Sequence, residues 1–192
     1  MAPASLWTGS LVRLRATEAS DWEAFWLAAG DTDSQRHGYW VPLPESATAA
    51  RERFEREAVT GPADADRFTL TIESLDSCSI AGSINAHGID RRNGTFEYGI
   101  TVFREFRGRG FASEAIALLL RYCFDELRFQ KANATVYAFN EPSIALHRSL
   151  GFTEEGRIRS NYYTNGEYHD ELWFGITAAE FRTRPAPPVQ RP

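Results

Sequence analysis

A chain that runs from a strand through Arg107-Gly108-Arg109-Gly110-Phe111-Ala112 straight into an apolar helix has few folds open to it. Thr95 to Phe103 alternates with the period of a strand, and Phe111 to Leu127 is apolar over most of its circumference, as a helix packed onto a sheet must be. Lys131 to Phe139 reads as the next strand. Strand, glycine-rich turn, helix and strand make a βαβ unit, whose two strands must be parallel. The turn itself suits an anion. Glycine lets backbone approach a ligand with no Cβ in the way, and the first turn of a helix presents unpaired N–H groups at the positive end of its dipole. Arg107 and Arg109 add positive charge, although a tight turn without a ligand accounts for the glycines equally well.

The rest of the chain supplies five more strands and several helices. Leu11 to Arg15 is a first strand, followed by a helix over Asp21 to Ala29 that Thr17 or Ser20 caps, with Trp22, Phe25 and Trp26 at helical spacing. Gly30 to Glu45 reads as a loop, punctuated by Gly38, Pro42 and Pro44 and carrying His37, Tyr39 and Trp40. Ser46 then caps a charged helix to about Val59. Arg67 to Glu73, Ser79 to His87 and Thr95 to Phe103 form an antiparallel meander, its last hairpin closed at Asn93-Gly94. Asn140 caps a short helix ending at Gly151, and Phe152 to Arg157 and Glu167 to Ile176 are the last two strands. The pattern predicts an α/β (α+β) fold: a mixed, mostly antiparallel sheet of about seven strands flanked by helices, with the βαβ unit at its centre. One domain over 1–182 is expected, with a disordered tail over 183–192, where four of the last eight residues are proline.

Charge and cysteines narrow the function. A formal net charge of −5 argues against a nucleic-acid binder that works through a broad basic surface, and permits a cationic substrate. Cys78 and Cys123 suit a reduced intracellular protein better than a disulfide scaffold, and no spacing suggests a metal site. Ile116 to Leu120, the longest aliphatic run, is far too short to cross a bilayer, so neither a membrane nor a nucleic-acid partner is expected and the expected location is the cytoplasm. A nucleoside-triphosphate P-loop is excluded because its Gly-Lys-Ser/Thr end is missing.

A second constellation, Asn140-Glu141-Pro142-Ser143, is followed by Leu150-Gly151-Phe152. Arg-x-x-Gly-x-Ala (Arg107, Gly110, Ala112), then Asn-x-x-Ser, then Leu-Gly-Phe resembles the GCN5-related N-acetyltransferase (GNAT) superfamily. Glu114 after the first motif and the tyrosine-rich run from Tyr162 to Asp170 are most similar to its branch of ribosomal-protein amino-terminal and spermidine acetyltransferases. The resemblance implies an enzyme that transfers acetyl from acetyl-coenzyme A, without a metal, to a primary amine by direct attack in a ternary complex. It implies that the backbone of Arg107, Gly108, Arg109, Gly110, Phe111 and Ala112 holds the pyrophosphate. It also implies that the strand at Thr101, Val102 and Phe103 splays from its neighbour to pair with the pantetheine arm, one amide there polarising the thioester carbonyl.

Asn140, Ser143 and His147, spaced i, i+3 and i+7, share one stripe of the short helix. Asn140 and Ser143 are expected cofactor contacts, and a cap and a contact can share the Asn140 side chain. His147 stands where the family usually has a tyrosine that protonates the departing thiolate; histidine can do the same, and a surface histidine without a role is the alternative. An acetylated amine must first lose a proton, and Glu97, on the face of Thr101 and Phe103, can accept it or bind the cation; a cross-strand pair with Arg91 or Arg92 is the structural alternative. Glu114 favours the helix dipole. Tyr39, Tyr162 and Tyr163 can wall the acceptor pocket, and Asp170 heads an acidic set with Asp33, Glu154, Glu155 and Glu167. A ribosomal-protein amino terminus, a polyamine, an amino sugar and an amino-acid-like metabolite all stay open as acceptors, as do monomer and homodimer. A non-catalytic acyl-coenzyme A sensor is the competing reading, kept by the histidine at 147.

Overall fold

Seven strands in one sheet organise the computed structural model, which describes residues 5–38, 40–60 and 67–183. In chain order they are β1 (Val12–Arg15), β2 (Phe68–Ser74), β3 (Ile80–Asp90), β4 (Thr95–Val102), β5 (Lys131–Tyr137), β6 (Thr153–Thr164) and β7 (Glu167–Thr177). They lie in the order β1-β2-β3-β4-β5-β7-β6. Among the described residues only β4 and β5 are parallel, as a helical crossover requires. That crossover is α4 (Phe111–Arg121), preceded by α1 (Trp22–Ala29), α2 (Thr32–Gly38) and α3 (Ala47–Thr60), and followed by α5 (Glu141–Leu150) and α6 (Ala178–Thr183).

Strand alternation sorts the two faces. Val12, Ile72, Ile84, Phe96 and Phe174 point to one side and, with Ile116, Leu118, Leu119 and Leu120 of α4, form the fully buried centre of the core. α5 lies on this side too, its His147 stacked on Tyr98 and Phe174. The opposite face takes α1, whose Phe25 packs edge-on against Phe103. Among the described residues no helix is long and apolar enough to cross a membrane.

Several local expectations are corrected. The span from Gly30 to Glu45, read as loop, contains α2, because the Asp31 carboxylate caps it, accepting the Ser34 N–H at 3.2 Å and its hydroxyl at 2.5 Å. Neither Thr17 nor Ser20 caps the first helix: a 3₁₀ turn over Ala19–Asp21 leads into it, and the Thr17 hydroxyl bonds Thr71. The Asn93-Gly94 hairpin is a four-residue loop between the paired Asp90 and Thr95, with positive φ only at Gly94, because Asp90 captures Asn93. β6 runs seven residues past Arg157; exposed along most of its length at the sheet edge and broken by bulges, it hides its alternation. Thr183 closes α6, and the rest of the tail expected to be disordered lies outside the described residues.

Candidate active site

β4 and β5 pair only at Thr95, Phe96 and Glu97, and beyond that vertex they diverge. β4 stays paired with β3 as far as Val102, so from Tyr98 onward its β5-facing edge lines an open slit. The wide end of the slit meets the glycine turn. Gly108 (φ 70°) and Gly110 (φ 83°) are left-handed there, a conformation costing an L-residue about 1–2 kcal/mol, and nothing lies within 4 Å of where a Cβ on Gly108 would stand. Gly110 is the N-cap of α4 and offers no side-chain cap, which leaves the first-turn amides without a capping side chain among the described residues. Asn140 caps α5 across the slit, accepting the Ser143 N–H at 3.2 Å.

Not every predicted cofactor side chain points to the turn. Arg107 donates to the Val102 carbonyl (3.0 Å) and the Ser34 hydroxyl (2.7 Å), and Arg109 lies over the rings of Phe106 and Phe111. Asn140 Nδ2 donates to the His37 carbonyl at 3.3 Å, and Tyr162 to that of Arg36 at 3.3 Å. With Arg104 bound bidentately to Asp31 at 2.7 and 2.8 Å, α2 is strapped over the mouth of the slit from both sides. The hydrogen bonds from Arg104 and Ser34 hold the Asp31 carboxyl well below the usual carboxylate range.

Under that strap, on the face opposite α4, opens a cavity of about 500 Å³ lined by Asp33, Arg36, Arg107, Phe139, Glu167 and His169 among others. Tyr162 stacks on Tyr137 at 3.7 Å beside it. Glu97 and Thr101 belong to the same face, with Glu97 at the vertex of the slit. Its cross-strand neighbour is His87 (Nε2 to Oε2 3.8 Å), in place of Arg91 or Arg92, and His87 is steadied by Asn85 at 3.0 Å. Tyr163 pairs with Tyr168 on the exposed hairpin, away from this wall. Asp170 is engaged within the hairpin, accepting the Ser160 N–H at 3.0 Å in a bulge and facing Arg157 at 3.6 Å. Tyr39 lies outside the described residues.

His147 is a core residue, not the surface histidine of the alternative reading. It is 3 % exposed, enclosed by Tyr98, Phe152 and Phe174. Its Nδ1 lies 2.7 Å from the Ser143 carbonyl, which can only accept, so the ring proton sits on Nδ1 and Nε2 is a bare lone pair. Burial holds the imidazole below its ordinary pKa, more than the Ser143 carbonyl raises it. Among the described residues Nε2 has no partner, and neither has the hydroxyl of Tyr98, 4 % exposed, whose phenol burial drives well above its ordinary range. Each such orphan costs about 1–3 kcal/mol, and Tyr98 carried no signal in the sequence beyond strand alternation. Desolvation pushes the Cys123 thiol up to about 12, which disarms it as a nucleophile.

The family described as Acetyltransferase (GNAT) domain matches residues 12–153. Over 175 residues the chain is 41% identical to the uncharacterized SPbeta prophage-derived N-acetyltransferase YokL of Bacillus subtilis (strain 168), covering 91% of this chain and 94% of YokL. It is 28% identical to the spermidine N(1)-acetyltransferase of Escherichia coli (strain K12), covering 84% of this chain and 83% of that protein. A crystal structure of spermidine N-acetyltransferase from Vibrio cholerae in complex with CoA and spermine shares the fold with a TM-score of 0.76, at 24% identity, over 89% of this chain and 98% of the other.

Proposed function

The chain belongs to the GNAT acetyltransferases, and from that premise we propose that it acetylates a primary amine, a protein amino terminus or a small-molecule amine, held on the Glu97 face of the slit. The observation that carries the reading is the divergence of β4 and β5 just past Glu97, which opens one slit to two faces. The turn fits the phosphates of coenzyme A: an αL glycine with open space above it, an N-cap without a side chain and the freed first-turn amides form a cradle that a Cβ would fill. Acetyl-coenzyme A, when bound, supplies an acyl carbon already activated as a thioester. The amides of Gly108 to Ala112 would hold its pyrophosphate, Asn140 and Ser143 would contact it from α5, and the free edge at Thr101 to Phe103 would pair with its pantetheine arm.

An alkylamine is overwhelmingly protonated at neutral pH and cannot attack until the proton is removed. Glu97 receives it, directly or through water. Glu167 lines the outer cavity, where Asp33 is paired with Arg36 at 2.9 Å, Tyr162 stacks beside it on Tyr137, and His147 lies on the opposite face, on the side to which the thiolate departs. Glu97→Gln should leave the acetyl-coenzyme A melting shift intact and lower turnover, read as thiol release with a panel of amines, by at least about tenfold. The loss should be greatest at low pH, where the neutral amine is scarcest. An unchanged pH profile and turnover would return Glu97 to a structural role.

A further inference from the structure

The vertex of the slit carries two adjacent proton-handling side chains on opposite faces. Glu97 is the last β4 residue paired with β5, and Tyr98 is the first beyond it. Strand alternation turns Glu97 to the acceptor face and Tyr98 to the side of α4 and α5. Direct transfer needs this division, because the amine loses its proton on the side from which it attacks and the sulfur gains one on the side to which it leaves.

His147 has no proton to offer there. Its ring proton is committed to the Ser143 carbonyl at 2.7 Å, and the nitrogen left over accepts only. The Tyr98 hydroxyl is a donor without an acceptor, and the two rings stack at 5.9 Å and 26° within one aromatic enclosure. The third buried orphan among the described residues, Trp173 Nε1, belongs to the other face.

We propose that Tyr98 is the proton donor to the departing thiolate and that His147 is the positioning residue, its imidazole stacked on the Tyr98 ring at 5.9 Å. The assignment rests on the acetyl-transfer reading. As the amine lone pair forms the C–N bond, the C–S pair leaves with sulfur and the Tyr98 proton joins it, giving the free thiol. The ammonium gives one proton to Glu97 before attack, the nitrogen loses a second once the C–N bond has formed, and the phenolate is recharged from water after the thiol departs, so two protons leave and one enters per turnover.

Tyr98→Phe removes one buried atom and changes no packing. The ligand-free variant should melt at the wild-type temperature or higher, since an orphan is gone, and should keep its acetyl-coenzyme A shift. Its kcat should fall at least about tenfold, within the range of general-acid contributions. With an aryl thioester of acetate, whose thiol leaves without a proton, the ratio of wild-type to variant rates should approach one. His147→Phe should lose less, and the double variant should be no slower than Tyr98→Phe, because the two residues act as a unit. Full kcat in Tyr98→Phe, or a loss that the aryl thioester fails to repair, overturns this proposal alone. A wild type that binds acetyl-coenzyme A and turns over no amine overturns the acetyl-transfer reading with it.

Discussion

Glu114→Ala is expected to lower the melting temperature by about 6–20 °C, one of the two largest effects foreseen for a single substitution in this protein. The carboxylate is 4 % exposed and accepts four hydrogen bonds: Ser10 N–H (2.7 Å) and hydroxyl (2.6 Å) on one oxygen, Leu11 N–H (2.7 Å) and Val12 N–H (2.8 Å) on the other. Truncation orphans three backbone donors at a cost of about 1–3 kcal/mol each, and partial entry of water near Ser10 leaves a loss of about 3–5 kcal/mol. At about 2–4 °C per kcal/mol for a chain of this size, that gives the stated range. The helix dipole, which Glu114 also favours from the first turn of α4, adds only about 0.3–1 kcal/mol. Glu114→Gln should cost roughly half as much, since its amide nitrogen faces donors at one of the two sites. Thermal unfolding of the three proteins checks the order, and a shift below about 2 °C for alanine would mean that the clamp is not formed. The clamp also bears on function: it holds the segment of Leu11, whose Cδ1 lies 3.2 Å from where a Gly110 Cβ would stand, against the turn.

Glu114 illustrates what the sequence could and could not disclose. Its place in the first turn of a helix was readable, but partners more than a hundred residues away were not, because no local pattern marks three amides converging on one carboxylate. Six of the strands, the parallel pair and the glycine turn were legible because period-two alternation and glycine spacing are local, whereas β6, exposed along most of its length, was legible only as far as Arg157. α2 was legible in principle: Asp31-x-x-Ser34 is a capping signal, outweighed by Gly38 and two prolines just beyond. The stripe of Asn140, Ser143 and His147 is present as spacing requires, yet which imidazole nitrogen carries the proton depends on a backbone carbonyl that no residue type encodes. Arg107 shows the same limit. Its position in the motif suggested a phosphate ligand, while its guanidinium braces Ser34 and Val102, so the backbone around it, and not its charge, is what the turn offers.

That distinction sets up the second large effect: Gly108→Val should raise the dissociation constant for acetyl-coenzyme A at least about a hundredfold. Gly108 has φ +70° and, among the described residues, nothing within 4 Å of its would-be Cβ, so valine acts through backbone strain and through the space it fills. Strain alone is controlled by Gly166→Val, at φ +85° in the hairpin turn and also with nothing within 4 Å. Both variants should lose similar stability, on the order of 1–2 kcal/mol or somewhat more for a β-branched residue. Only Gly108→Val should lose the ligand, because displacing the pyrophosphate forfeits two or more amide bonds to a charged group at about 1.5–3 kcal/mol each, and 1.4 kcal/mol is tenfold in affinity. Titration calorimetry with acetyl-coenzyme A reads the difference directly. S-acetylpantetheine, which carries no phosphate, should bind the two variants alike, since the contact at stake is absent from it. If Gly108→Val binds acetyl-coenzyme A as tightly as Gly166→Val does, the pyrophosphate is held elsewhere, and the anion site read from the glycine turn is wrong.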